Sequence, residues 1–248
     1  MASVGFKTDV GLRRDGNEDA LLVLPKYNLF AVADGVGGRN SGEIASRKAI
    51  VGIENFFKTN PIERSDEMEG DDRYNRLESY FLRCFRKINN DILGIATREP
   101  LNEGMATTAV VAYLDGDILY VVNIGDSRAY IVRDGEISQL TEDHTYVNKL
   151  ISVGALTSNE ARQHPQKNMI TRALGVSGGG EPDFYHYDIR EKDRILLCTD
   201  GLHGELTDVE IRDVMFAEQD LNQVCRNLVK AANEKGGNDN ITVVCIDI

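Results

Sequence analysis

Four aspartates share one local context. Asp34-Gly35 closes the apolar run LFAVAD, and Asp200-Gly201 closes the run ILLCTD. Asp126 follows the run ILYVVNIG, and Asp239 stands in GGNDNIT just ahead of ITVVCI. A carboxylate at a strand end next to glycine lies at the rim of a sheet, where the backbone can approach a ligand closely. Four such carboxylates with few basic residues beside them repel one another. A hard divalent cation relieves that repulsion, and oxygen-only ligation suits magnesium or manganese. His144, His164, His186 and His203 offer no zinc-ligand spacing to each other or to cysteine. Asp-Gly is also a common turn dipeptide. Any single pair therefore reads first as a turn, and on spacing alone the turn and metal readings both stand.

The elements that must hold these residues are grouped strands and paired helices. Strand signals fall at 2–9, 19–24 and 28–34, then at 107–114, 118–125 and 128–135, and again at 184–189, 193–199 and the final NITVVCIDI. Amphipathic helices are expected at about 41–59 and 72–97, separated by the acidic stretch 60–72, and further helices at about 207–216 and 220–234. Asn40 with Glu43, Thr207 with Glu210, and Asp220 with Gln223 have the spacing of capping boxes. Residues 141–180 are polar, hold two short helical stretches and end in Ser177-Gly178-Gly179-Gly180, so they read as an excursion from the sheet. Strands cluster instead of alternating with helices. The expected class is therefore α+β with largely antiparallel sheets, in one domain over 1–248.

Composition narrows the partners. The chain has 248 residues, 28 Lys+Arg and 40 Asp+Glu, for a formal charge of −12. Such an acidic body without a basic run disfavours nucleic acid and anionic lipid. No apolar stretch approaches the ~20 residues of a membrane span. MASVGFKTDV lacks the apolar segment of a signal peptide, so cytoplasm is the expected location. Cys84, Cys198, Cys225 and Cys245 lack C-x-x-C spacing and read as buried thiols in a reducing compartment.

A set of motifs joins these residues. In chain order they are Arg14-Asp15-Gly16-Asn17-Glu18-Asp19; Ala33-Asp34-Gly35-Val36-Gly37-Gly38; Gly104-Met105-Ala106-Thr107-Thr108; Asn123-Ile124-Gly125-Asp126-Ser127-Arg128; Leu140-Thr141-Glu142-Asp143-His144; Ile170-Thr171-Arg172-Ala173-Leu174-Gly175; Leu197-Cys198-Thr199-Asp200-Gly201-Leu202; and Gly236-Gly237-Asn238-Asp239-Asn240-Ile241-Thr242. Together they span about residues 8–244 and resemble the metal-dependent serine/threonine protein phosphatases of the PPM (type 2C) family, in its compact bacterial form.

The resemblance implies a four-layer αββα sandwich of two antiparallel sheets flanked by helix pairs, with 141–180 as a flap subdomain. It implies two Mg²⁺ or Mn²⁺ ions and a third metal site. Asp34 would bridge two ions, the Gly35 carbonyl would ligate one, and Asp200 and Asp239 would complete the first. Glu18 and Asp19 would hold coordinated waters, Asp126 with Asp200 would form the third site, and Arg14 would grip the substrate phosphate. Direct attack of a bridging water on phosphoserine or phosphothreonine follows, with no phosphoenzyme. Phosphorylated proteins would be the substrates, and the enzyme, expected to be a monomer, would oppose a bacterial-type Ser/Thr kinase. The alternatives are a catalytically silent phosphoprotein-binding regulator of the same fold and a phosphatase of phosphorylated anti-sigma-factor antagonists.

Three positions depart from the family pattern. Val36 stands where many eukaryotic members carry a histidine general acid, which leaves a coordinated water or His164 in the flap as proton donor. Ala106 replaces a glycine, which matters only if its backbone needs positive φ. Thr199 replaces a serine and keeps the hydroxyl. Arg13 is expected to be solvated.

Overall fold

A computed structural model describes residues 3–37, 41–62, 70–178 and 180–248. Strands β1 (Ser3–Asp9), β2 (Asp19–Leu24) and β3 (Leu29–Val36) lead into helices α1 (Ser41–Thr59) and α2 (Asp71–Arg98). Then come β4 (Ala106–Thr107), β5 (Ala109–Asp115), β6 (Ile118–Ile124), β7 (Arg128–Arg133) and β8 (Glu136–Gln139). Short helices α3 (Tyr146–Ser152) and α4 (Ser158–Gln163) precede β9 (Asp183–Asp188) and β10 (Arg194–Cys198). The chain ends with α5 (Asp200–His203), α6 (Asp208–Phe216), α7 (Leu221–Lys235) and β11 (Ile241–Asp247). No described helix is long and apolar enough to cross a membrane.

Two antiparallel sheets form, ordered β1-β11-β10-β7-β8 and β2-β3-β5-β6-β9, with β4 pairing to β3. The central strands are apolar on both faces because both faces are covered. In β3, Phe30 and Val32 meet the other sheet, while Leu29, Ala31 and Ala33 meet α1 and α2. In β11, Val244 and Ile246 face the sandwich interior, while Ile241, Val243 and Cys245 pack on α7. The period-2 alternation of a strand thus feeds two cores at once. The expected four layers, helices outside and sheets inside, are present.

The helix stripes follow from their spacing. Leu77, Phe81, Cys84, Ile88 and Ile92 of α2 are buried together, and Phe81 sits among Phe57, Tyr80, Tyr113 and Phe184 with ring centroids 5.5–6.2 Å apart. Thr207 and Glu210 form the expected capping box on α6. The expected box on α7 does not form. Asp220 caps the Asn222 N–H, while Gln223 turns along the helix to Asn227 and Arg226. Thr157 and Glu160 form a box that sequence reading passed over. The run 107–114 is divided at Thr108, and β8 was not anticipated because EISQ has too little apolar content to signal an edge strand. Asn40 and most of the acidic stretch lie outside the described residues.

Within 141–180, two isolated bridges, Thr145↔Ile170 and Thr107↔Leu174, tie the excursion to its own base and to β4. Phe81→Ala should cost about 3–5 kcal/mol of stability, read from the denaturant midpoint, because a fully buried ring is removed from an aromatic cluster that cannot collapse.

Candidate active site

Antiparallel pairing carries the four aspartates to one end of the sandwich. Asp19 stands directly opposite Asp34 across β2 and β3. The start of β5 meets the end of β6 at Ala109↔Ile124, just before Asp126. The end of β10 meets the start of β11 at Cys198↔Val243, which sets Asp200 beside Asp239. Residues more than 200 positions apart in sequence are therefore neighbours on one rim.

Close backbone approach makes this rim possible. A Cβ on Gly35 would fall 2.0 Å from the Gly42 carbonyl oxygen, and one on Gly201 would fall 2.0 Å from the Asn240 carbonyl oxygen. Only glycine lets α1 abut β3 and α5 abut β11 at these points. Ala106 lies in β4 and is absent from the positive-φ residues, so its methyl is tolerated.

Hydroxyls and one amide lock the carboxylates in place. Thr108 Oγ1 accepts from the Asp34 N–H at 2.9 Å and shares a hydrogen bond with Ser127 Oγ at 2.7 Å, next to Asp126. Thr199 Oγ1 accepts from the Thr242 N–H and donates to Asp19 Oδ2 at 2.8 Å. The hydroxyl shared by Ser and Thr is what this position uses. Asn240 accepts from the Glu18 N–H and donates to the carbonyls of Val10 and Gly16, which staples the loop carrying Arg14 to the strand start beside Asp239. Sequence reading quoted Thr108 and Asn240 inside motifs but gave them no task. Their signal was a polar residue within an apolar strand end.

Electrostatically the rim is strained. Burial and the neighbouring carboxylates push Asp19 up to about 7, Asp126 to about 8 and Asp200 to about 6. Burial and the Asp200 charge hold the Asp34 carboxyl well above its usual range. Burial also raises Glu18. Asp19 Oδ1, Asp126 Oδ1 and Asp200 Oδ1 are buried with no hydrogen-bond partner. Such acceptors are costly unless something positive meets them. The donor set fits a hard divalent cation. Among the described residues no three His, Cys, Asp or Glu side chains are already gathered at one point, so holding a cation would draw the carboxylates closer together, with backbone oxygen and water completing the shell.

The remaining predicted residues are placed as follows. Arg14 Nη2 donates to Asp239 Oδ2 at 2.6 Å, with both side chains partly exposed. Arg13 is exposed. His164 caps the end of α4, its Nδ1 accepting from the Gln166 N–H and its ring beside Tyr146. Among the described residues no hydrogen bond or ion pair links His164 to the rim.

Comparison with known proteins decides the family. The sequence model described as protein phosphatase 2C matches residues 13–243. The chain belongs to this family. It is 32% identical over 246 residues to the serine/threonine phosphatase stp of Listeria innocua, covering 98% of this chain and 94% of that one. The serine/threonine phosphatase structure from S. agalactiae superposes with a TM-score of 0.88 at 32% identity, covering 100% of both chains. The catalytic domain of PstP in complex with two manganese ions superposes with a TM-score of 0.83 at 34% identity, covering 99% of this chain and 97% of that one. The chain is a serine/threonine protein phosphatase.

The raised carboxylates give a pH signature. An acid whose pKa is higher folded than unfolded retains a proton that the unfolded chain has released, so stability falls as pH rises. Metal-free protein should lose thermal stability between about pH 4 and pH 8 and level off above, as Asp200, Asp19 and Asp126 ionise in turn. Excess Mn²⁺ should flatten that slope. A metal-free midpoint that rises steadily across the range would contradict the placement of these charges.

Proposed function

We propose that the rim carboxylates hold divalent cations, and that phosphoserine and phosphothreonine in proteins are hydrolysed there by direct attack of water. The supporting observation is the set of buried, unpartnered oxygens of Asp19, Asp126 and Asp200 at one end of the sandwich. When bound, divalent cations neutralise the phosphoryl oxygens and lower the pKa of attacking water. Asp34 would bridge two ions, the Gly35 carbonyl would join one, and Asp200 and Asp239 would ligate the other. Glu18 and Asp19 would complete the shells through water. Asp126 with Asp200 would form the third site. Mg²⁺ and Mn²⁺ both suit these oxygens.

Arg14 would orient the phosphate, since a planar guanidinium pairs with two phosphate oxygens. Its present partner is Asp239 Oδ2. As a cation ligand, Asp239 would give up that ion pair, which would leave the Arg14 guanidinium available to a phosphate. No side-chain nucleophile is needed. All four cysteines are buried free thiols, and burial raises Cys84 to about 12, which leaves it protonated and inert. Val36 is exposed and offers no proton to the leaving alkoxide, which leaves water at the site or a flap side chain as the donor. His164 remains the flap candidate for that donor. We read 141–180 as the flap, the substrates as targets of a bacterial-type Ser/Thr kinase, and the enzyme as a cytoplasmic monomer acting away from nucleic acid and membrane.

Hydrolysis of a phosphothreonine peptide, followed by phosphate release with Mn²⁺, with Mg²⁺ and with EDTA, tests the site. Activity should require metal. Asp200→Asn should lower kcat by more than about 100-fold, beyond the 10–100-fold typical of residues that only orient a ligand. Metal-independent turnover, or an active Asp200→Asn, would remove the cation reading. Arg14→Ala should act mainly on KM, lowering kcat/KM about tenfold or more, about 1.4 kcal/mol or above in transition-state stabilisation. A normal KM in that variant would take the phosphate role away from Arg14.

A further inference from the structure

The turn that carries Asp126 is gripped by a histidine outside the cation-facing rim. Gly125 has φ +102°, and a Cβ there would strike the Thr108 side chain at 2.5 Å. Its peptide groups are therefore set at an angle that needs holding. His144, nearly fully buried, holds both of them. The His144 backbone N–H donates to the Gly125 carbonyl at 2.9 Å. The Gly125 N–H in turn donates to His144 Nδ1 at 3.0 Å. From the other side His203 Nε2 donates to the Asp126 carbonyl at 2.9 Å. The turn is thus clamped front and back, while Asp126 Oδ1 is left buried with no partner.

The ring's own chemistry is fixed by this contact. A backbone N–H can only donate, so Nδ1 must be the unprotonated nitrogen. The proton is on Nε2, which donates to Asp183 Oδ2 at 2.9 Å. Arg172 Nη1 also lies 2.9 Å from Nε2, but two donors cannot bond each other. Its hydrogen bond is the one to Asp183 Oδ1 at 2.7 Å. Arg172 and the Tyr185 hydroxyl hold Asp183 on β9, Asp183 holds the ring, and the ring holds Gly125. The His144 carbonyl accepts from the N–H and the hydroxyl of Thr171, which fixes its backbone as well.

We infer that His144 is a positioning residue for Asp126: its Nδ1, accepting from the Gly125 N–H, adds to the backbone bond between the two residues and aims the Asp126 carboxylate at the cation site. This rests on Asp126 being a cation ligand, as proposed above. A residue that orients a ligand typically changes metal affinity 10–100-fold when removed. A residue that merely packs changes stability and leaves affinity alone.

Calorimetric titration of Mn²⁺ into the metal-free full chain separates these roles, with the thermal midpoint in EDTA measured beside it. Asp126→Ala should abolish or weaken one binding event. His144→Ala should weaken that same event about 10–100-fold. His144→Asn should restore it, because the Asn amide oxygen occupies the bond position of Nδ1 and can accept from Gly125. Asp183→Asn, which does not touch Gly125, should lower the thermal midpoint more than the affinity. Unchanged Mn²⁺ binding in His144→Ala, beside weakened binding in Asp126→Ala, overturns the positioning role. Unchanged binding in Asp126→Ala overturns instead the ligand reading of Asp126. Should His144→Ala fail to fold, His144→Asn against His144→Gln carries the comparison. Gln places no acceptor at the Nδ1 position, so equal affinity in the two overturns the inference.

Discussion

Mutual repulsion among Asp19, Asp34, Asp126, Asp200 and Asp239 is the constraint around which the rest of the molecule is arranged. These carboxylates lie at one end of the sandwich, and Asp19, Asp34, Asp126 and Asp200 are largely removed from water, with raised pKa values. Like charges in a desolvated site cannot all ionise without compensation. A fold that places them together must hold them against that repulsion when no cation is bound. It must also leave oxygens open when one is. Both demands are visible: hydroxyls of Thr108 and Thr199 fix the strand ends, while one oxygen each of Asp19, Asp126 and Asp200 is left without a partner.

The surrounding architecture supplies the rigidity. Each sheet is packed on both faces, so the strand ends that carry the aspartates cannot drift independently. Interiors packed at this density transmit position instead of absorbing it. Gly35 against Gly42 and Gly201 against Asn240 bring helix starts against strands at distances no Cβ would permit. Asn240 then ties the Arg14 loop to Asp239's strand through three backbone groups. Site geometry is therefore a property of the sandwich end as a whole, with the Arg14–Asp239 ion pair at its partly exposed edge.

Specificity and proton transfer are less constrained by this frame. Val36, exposed where a histidine could stand, removes one donor without disturbing the strand, since β4 still pairs there at Ala106. The excursion over 141–180 is anchored through short bridges and the buried His144, while α4 and His164 sit at its periphery.

Much of this was legible in the amino-acid sequence. Apolar runs ending in Asp-Gly marked the rim residues, because strand burial and turn chemistry are local and leave a local pattern. Helix stripes on α1 and α2 were readable for the same reason, and α6 and α7 were marked by the polar residues at their starts. Motif order, being a property of the whole chain, identified the family. What the sequence could not decide was which groups meet. The facing of Asp19 and Asp34, the bonding of Asn240 to three distant backbone groups, and the grip of His144 on Gly125 depend on register between strands far apart in the chain. The failed capping box at Asp220 makes the same point in miniature, since Gln223 had a competing partner one turn along the helix. Local pattern names the groups that can do chemistry; only the packed sheets set the distances and the shared charge that decide what chemistry they do.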